Sequence, residues 1–211
     1  MKGILTVVSG FAGAGKGTIM NKLITGYEGY ALSVSATSRS PRPGEEEGVN
    51  YFFKTRESFE EMIKNDAFLE YAEYVGNYYG TPREFVEKKL EEGKNVLLEI
   101  EIQGAMQVKK RFPEALLVFV MPPSAEILKE RLTNRGTETP EVIAKRLMRA
   151  ESESEGIENY DFIIINDDID KCTDLLHNII LAAAYKPSAQ KDFIEKVRQD
   201  LKEMNSGSSG V

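Results

Sequence analysis

Apolar side chains gather in four short runs, at 4–8, 96–100, 116–121 and 162–165, each rich in Val, Ile, Leu and Phe. Runs of this length without polar alternation suit strands buried on both faces. Around them, apolar residues recur at three- and four-residue spacing over 15–25, 103–111, 124–134, 140–155 and 168–185, which predicts helices. Ser124 and Asp168 stand where N-caps belong. Strand and helix alternate, so the pattern predicts an α/β fold: a parallel sheet flanked by crossover helices.

Two stretches break the alternation. Residues 33–93 separate the first two core strands by far more chain than a crossover needs, and they carry Pro, Gly and aromatic segments of their own. They are expected to form an inserted subdomain at the carboxyl end of the sheet, where ligands bind in such folds. A second polar interruption, Asn134 to Pro140, lies between two arginine-rich helical patterns and predicts a small mobile lid over 126–156. The core then comprises 1–32, 94–125 and 157–205 of a single domain. Over 187–204, Phe193, Val197, Leu201 and Met204 share one helical face, which predicts a terminal helix packed on the body. Residues 206–211, rich in Ser and Gly, are expected to be a flexible tail outside the folded unit.

Composition narrows the setting. A chain of 211 residues with 41% hydrophobic content buries a sizeable core. The net charge of −7 argues against a general nucleic-acid surface, so any anion site must be a local focus of cations. One cysteine, Cys172, forms no internal disulfide, and one histidine, His177, forms no histidine cluster for a metal. The apolar run after Lys2 is too short for a leader or a membrane span. A cytoplasmic protein without membrane or nucleic-acid partners is expected.

The candidate chemistry begins at Gly10-Phe11-Ala12-Gly13-Ala14-Gly15-Lys16-Gly17-Thr18, directly after the first apolar run. Glycines at this spacing let consecutive N–H groups turn inward, Lys16 adds a charge, and the next helix presents its positive end to the same anion. A bound polyphosphate follows. Arg39 and Arg42 flank Ser40-Pro41 in a segment with neither helix nor strand character. Two readings stand for them: convergence on one phosphate, or a solvated basic turn balanced by Glu45, Glu46 and Glu47.

Several further segments occur in a fixed order: Ser33 to Glu45, Asn50-Tyr51-Phe52-Phe53, Phe68-Leu69-Glu70-Tyr71-Ala72, Gly76-Asn77-Tyr78-Tyr79-Gly80-Thr81, Leu98-Glu99-Ile100-Glu101-Ile102-Gln103-Gly104, Arg135-Gly136-Thr137-Glu138-Thr139 and Ile165-Asn166-Asp167-Asp168. Together with the glycine loop they resemble guanylate kinases over about residues 3–185. The resemblance implies a P-loop fold with a mixed α+β insert that binds a nucleoside monophosphate, and a helical lid. It implies ATP and GMP as substrates and Mg²⁺ as the companion of ATP. By similarity residues 10–18 and Asn166 bind ATP. Arg39, Arg42, Tyr51 and Tyr79 hold the GMP phosphate, and Ser35, Glu70, Thr81 and Glu101 face guanine. Lys16, Arg39, Arg131, Arg135 and Arg146 serve the transferring group, with Arg149 a lesser candidate. Guanine carries two adjacent donors beside an acceptor, so carboxylates and hydroxyls make a complementary set. Such directional sites discriminate by roughly 10⁴.

The sequence departs from the family at two places. Glu101 stands where aspartate is usual, and Gly17 stands where serine is common, which leaves Thr18, Glu99 or water to face Mg²⁺. For Asn166, capping of the following helix is a competing role. Tyr71, Tyr78 and Cys172 read as packing residues, and His177 receives no catalytic role. Oligomeric state is undetermined at this level. Two other functions remain open: a protein-interaction module on the same fold, which typically lacks the phosphate loop, and a kinase acting on AMP or another nucleotide.

Overall fold

The computed structural model describes residues 2–134 and 139–207. The chain begins with β1 (Leu5–Gly10), α1 (Lys16–Gly26) and β2 (Tyr30–Leu32). The insert follows as β3 (Ala36–Thr37), β4 (Phe52–Phe53), α2 (Arg56–Lys64), β5 (Phe68–Tyr74), β6 (Asn77–Pro82) and α3 (Arg83–Glu91). The chain then returns through β7 (Asn95–Glu99), α4 (Ile102–Arg111), β8 (Leu116–Met121), α5 (Ala125–Asn134), α6 (Pro140–Ser154), β9 (Phe162–Ile165), α7 (Ile169–Ala183) and α8 (Lys191–Gly207).

The core sheet runs β2-β7-β1-β8-β9, all parallel, with β1 at its centre. Successive side chains of a strand face opposite ways, and both faces here are covered. Leu5 and Val7 of β1 join Val96, Leu98 and Leu117 in one apolar cluster, while Val8 joins Leu97, Val118 and Ile19 in the other. This double burial is why the strand reads as an unbroken apolar run. The last run departs from that expectation. Among the described residues β9 pairs only with β8, and although Ile164 is buried, Ile163 and Ile165 are exposed because the strand is the sheet's edge.

The insert forms its own four-stranded sheet, ordered β4-β3-β6-β5, around a small aromatic core in which Phe59 stacks on Phe68 and Tyr78. Tyr71 and Tyr78 thus serve packing, as expected. Val86 and Leu90 of α3 lie in the same cluster as Leu5 and Val7, so the last part of 33–93 covers the core sheet.

Helix boundaries follow local chemistry. The Asp168 carboxylate accepts from the N–H groups of Asp170 and Lys171, and the Ser124 hydroxyl accepts from Ile127 N–H, so both expected caps are present. Cys172 is buried on the apolar stripe of α7. His177 stacks on Tyr27 at 3.8 Å and shares a 2.7 Å hydrogen bond with the Tyr30 hydroxyl, a packing role between α1 and α7.

The terminal helix is the main correction. It forms and runs through Gly207, past the start of the expected tail, but most of its apolar face is exposed among the described residues. Phe193, Leu201 and Met204 are 65%, 55% and 70% exposed. Its first residue is tied down by the Lys191–Glu114 ion pair. Amphipathic spacing specifies a helix with an apolar face, but not what covers that face.

Candidate active site

The glycine loop joins the carboxyl end of β1 to α1. Gly15 has φ 93°, a left-handed conformation, and a Cβ there would stand 2.3 Å from Asn166 Nδ2. Glycine is required on both counts. Lys16 Nζ donates to Gly10 O (2.7 Å) and Phe11 O (3.2 Å), so the ammonium lies along the loop it serves.

Asn166 does not cap α7; Asp168 does. The Asn166 side chain is buried, and its Nδ2 donates to Ala14 O at 2.7 Å. The Asn166 backbone carbonyl accepts from Arg131 Nη2 at 2.8 Å. The residue therefore stitches the phosphate loop to the end of β9 and to α5. A cavity of about 450 Å³ opens here, lined by Gly13, Gly15, Arg131, Asn134, Asn166 and Ile169. We expect Asn166→Ala to lower stability by about 1–3 kcal/mol, because Ala14 O loses its partner inside the fold. Urea unfolding checks this.

Across the mouth of the sheet, Glu70 and Thr81 face one another on β5 and β6. The Thr81 hydroxyl donates to Glu70 Oε1 at 2.6 Å, and both residues are buried. Burial holds the Glu70 carboxyl above its ordinary pKa, against the lowering pull of Thr81 and of the Arg111 charge. Glu70 Oε2 lies against the first turn of α4, where a Cβ on Gly104 would approach to 3.0 Å. Sequence reasoning missed what fixes this strand. Gln107 exchanges hydrogen bonds with the backbone of Tyr71 (3.3 and 3.2 Å), and Arg111 Nη1 donates to Leu69 O (3.1 Å). Residues 104, 107 and 111 share one face of α4, a spacing visible in the sequence but without a partner until β5 is placed.

The basic turn is balanced by its acidic neighbour, although Arg39 is not solvated. Arg39 Nη2 donates to both oxygens of Glu45 (2.8 and 3.0 Å), and its guanidinium lies 5.5 Å from the Tyr51 ring centre. The Glu45 bond is the largest influence raising the Arg39 pKa. Glu45 also accepts from Arg42 N–H (2.7 Å), while the Arg42 side chain is exposed. Tyr51 and Tyr79 meet edge to face at 6.0 Å. Arg39, Tyr51 and Tyr79 are thus neighbours, with Glu45 holding the arginine. Ser35 is half-buried just before β3.

Of the lid candidates, Arg131 lies on α5 beside the loop, and Arg146 lies half-buried on α6. Arg135 falls outside the described residues. Glu101 is the residue before α4, exposed and paired with Arg149. Thr18 and Glu99 are exposed at the loop, and Glu99 Oε2 lies 3.6 Å from where a Cβ on Gly17 would stand. A hydroxyl and a carboxylate make a hard oxygen set that fits Mg²⁺. Among the described residues no group of three His, Cys, Asp or Glu could hold a metal ion. No helix among them is long and apolar enough to cross a membrane.

A glycine loop closing the central parallel strand, opposed by an insert with a buried carboxylate–hydroxyl pair, defines a P-loop nucleotide phosphotransferase. Comparison with known proteins resolves the family. The guanylate kinase sequence profile matches residues 2–183, and the chain belongs to the guanylate kinase family. It is 48% identical to the guanylate kinase of Caldanaerobacter subterraneus subsp. tengcongensis over 94% of this chain and 97% of that one. It is 48% identical to that of Halalkalibacterium halodurans, over 94% and 96% of the two chains. Among solved structures, the guanylate kinase from Anaplasma phagocytophilum superposes with a TM-score of 0.67, at 35% identity and covering 88% of each chain.

Proposed function

We infer that the chain is an ATP:GMP phosphotransferase that converts GMP and ATP to GDP and ADP. The observation that carries the acceptor's identity is the buried Glu70–Thr81 pair at the mouth of the sheet. A deprotonated Glu70 accepts from guanine N1–H or its exocyclic amine, whereas adenine would set a ring acceptor against the carboxylate. Burial of that carboxylate makes the mismatch costly. The non-catalytic alternative is not favoured, because the phosphate loop is present and curated relatives matched along nearly their whole length are guanylate kinases.

In this reading residues 10–18 cradle the ATP phosphates and Lys16 bridges the β- and γ-groups. Arg39, Arg42, Tyr51 and Tyr79 hold the GMP phosphate, and Ser35, Thr81 and Glu101 complete the base site with Glu70. A terminal oxygen of the GMP phosphate attacks the γ-phosphorus. The bond from that phosphorus to the β,γ-bridging oxygen breaks, and ADP leaves with the electron pair. The attacking oxygen is already anionic, so no general base is needed, which suits a site without histidine. Catalysis is then alignment of two polyanions and neutralisation of their charge, the part assigned to Lys16, Arg39, Arg131, Arg135 and Arg146. Mg²⁺ would be held by the nucleotide with Thr18 and Glu99 nearby, and would neutralise phosphate charge.

Exclusion of water calls for the insert (33–93) and lid (126–156) to close over the core. Asn166 serves the donor nucleotide through the loop it holds. The focused cations on an acidic chain support small-molecule substrates and no nucleic-acid partner, and a cytoplasmic setting is part of the same reading. The direct test is ADP formation from ATP and Mg²⁺ with GMP, AMP, CMP or UMP. Turnover confined to GMP is expected. Equal turnover with AMP would overturn the base assignment, and binding without turnover would return the interaction module.

A further inference from the structure

Arg149 lies near the end of α6, and its guanidinium reaches two carboxylates. Nε donates to Glu153 on its own helix at 2.9 Å, and Nη2 pairs with Glu101 Oε2 across the gap to α4. The second contact is the informative one. It joins the lid helix to the residue that opens α4, beside the wall of the base site formed by Glu70 and Gly104.

Both ends of this link rest on fixed ground. Ala150, the next residue, is buried in the core cluster with Val118 and Phe119. Just past the helix, Gly156 packs so closely on Ile102 that a Cβ would stand 3.1 Å from its Cγ2. Arg149 thus belongs to the anchored end of α6. Glu153 contributes by fixing the arginine itself, since an i,i+4 partner restricts a long side chain.

Glu101 needs such an anchor. Its side chain is 68% exposed, and it makes no cap to its own helix. A free glutamate there samples many rotamers and pays their entropy on each binding event. A carboxylate has about four lone-pair directions, so the guanidinium on Oε2 leaves capacity for a second donor. We propose that Arg149 is a positioning residue for base selectivity, holding one oxygen of Glu101 so that the other accepts from the exocyclic amine of guanine. The proposal rests on Glu101 as a base contact.

Inosine monophosphate separates the two, because it keeps N1–H and O6 and lacks only the exocyclic amine. Arg149→Ala is expected to reduce kcat/KM for GMP about fivefold, chiefly through KM, with a much smaller change for inosine monophosphate. Arg149→Lys recovers part of that loss. Glu101→Ala reduces the GMP preference further, and adding Arg149→Ala to it changes the preference no more. If Glu101→Ala lowers the preference but Arg149→Ala does not, the role of Arg149 is overturned and the base contact stands. Should Glu101→Ala leave the preference untouched, the base contact fails, and the proposal with it. A fall in kcat of equal size for both acceptors in Arg149→Ala also overturns it, since that assigns the arginine to phosphoryl transfer.

Discussion

Replacement of Lys16 by methionine reduces kcat by about a thousandfold, roughly 4 kcal/mol of transition-state stabilisation, while the protein stays folded. The transferring phosphoryl group carries its charge on equatorial oxygens, and the lysine is the loop's one full positive charge beside a ring of backbone dipoles. Methionine keeps the apolar stem and removes the ammonium. The structural loss is the smaller effect: Lys16 is half-buried, and the bonds of its Nζ include those to Gly10 O and Phe11 O. At about 1 kcal/mol per lost hydrogen bond, Tm falls by only a few degrees. Steady-state kinetics beside a thermal melt check both statements. A melt that collapses with the activity would show Lys16 to be chiefly a structural brace.

Glu70→Gln separates function from stability in opposite directions. The amide presents donors to guanine's donors, so kcat/KM for GMP is expected to fall about 10³-fold, and the preference for GMP over AMP narrows with it. The folded protein meanwhile loses a desolvated carboxylate and keeps an oxygen for the Thr81 hydroxyl. Burial raises the folded-state pKa of Glu70 above its unfolded value, so the native protein binds more protons than the unfolded chain between those two values. Stability therefore falls as pH rises through that window, and the cost persists above it. The glutamine variant lacks this slope, and its urea midpoint should exceed that of the parent at pH 8 but not at pH 4. Affinity for GMP in the parent runs the other way, weakening as acid protonates the carboxylate. A variant less stable than the parent at pH 8 would show that Glu70 is a structural ion and not a strained binding group.

Much of the candidate site's local geometry was legible because its signals are local. The loop is written in consecutive residues, since a chain that must curl around phosphate needs glycine at fixed places and a lysine at the start of a helix. The Asp168 and Ser124 caps were legible for the same reason: a cap bonds to N–H groups two or three residues away. The partners of Arg39 were harder to read. Glu45 was visible as a nearby charge, but whether it held the arginine depended on how the turn folded.

Sequence alone determined the alternation of strand and helix, the double burial of β1, β7 and β8, the phosphate loop and the family resemblance, because periodicity and short motifs are properties of neighbouring residues. Tertiary structure decided what depends on distant segments meeting. It left β9 at an edge with Ile163 and Ile165 exposed, and it left Phe193 and Leu201 of α8 exposed. It brought Asn166 onto Ala14, Gln107 onto Tyr71 and Arg149 onto Glu101. A side chain's chemistry states what it is able to bond, and only the packing of strands and helices far apart in the chain selects the partner.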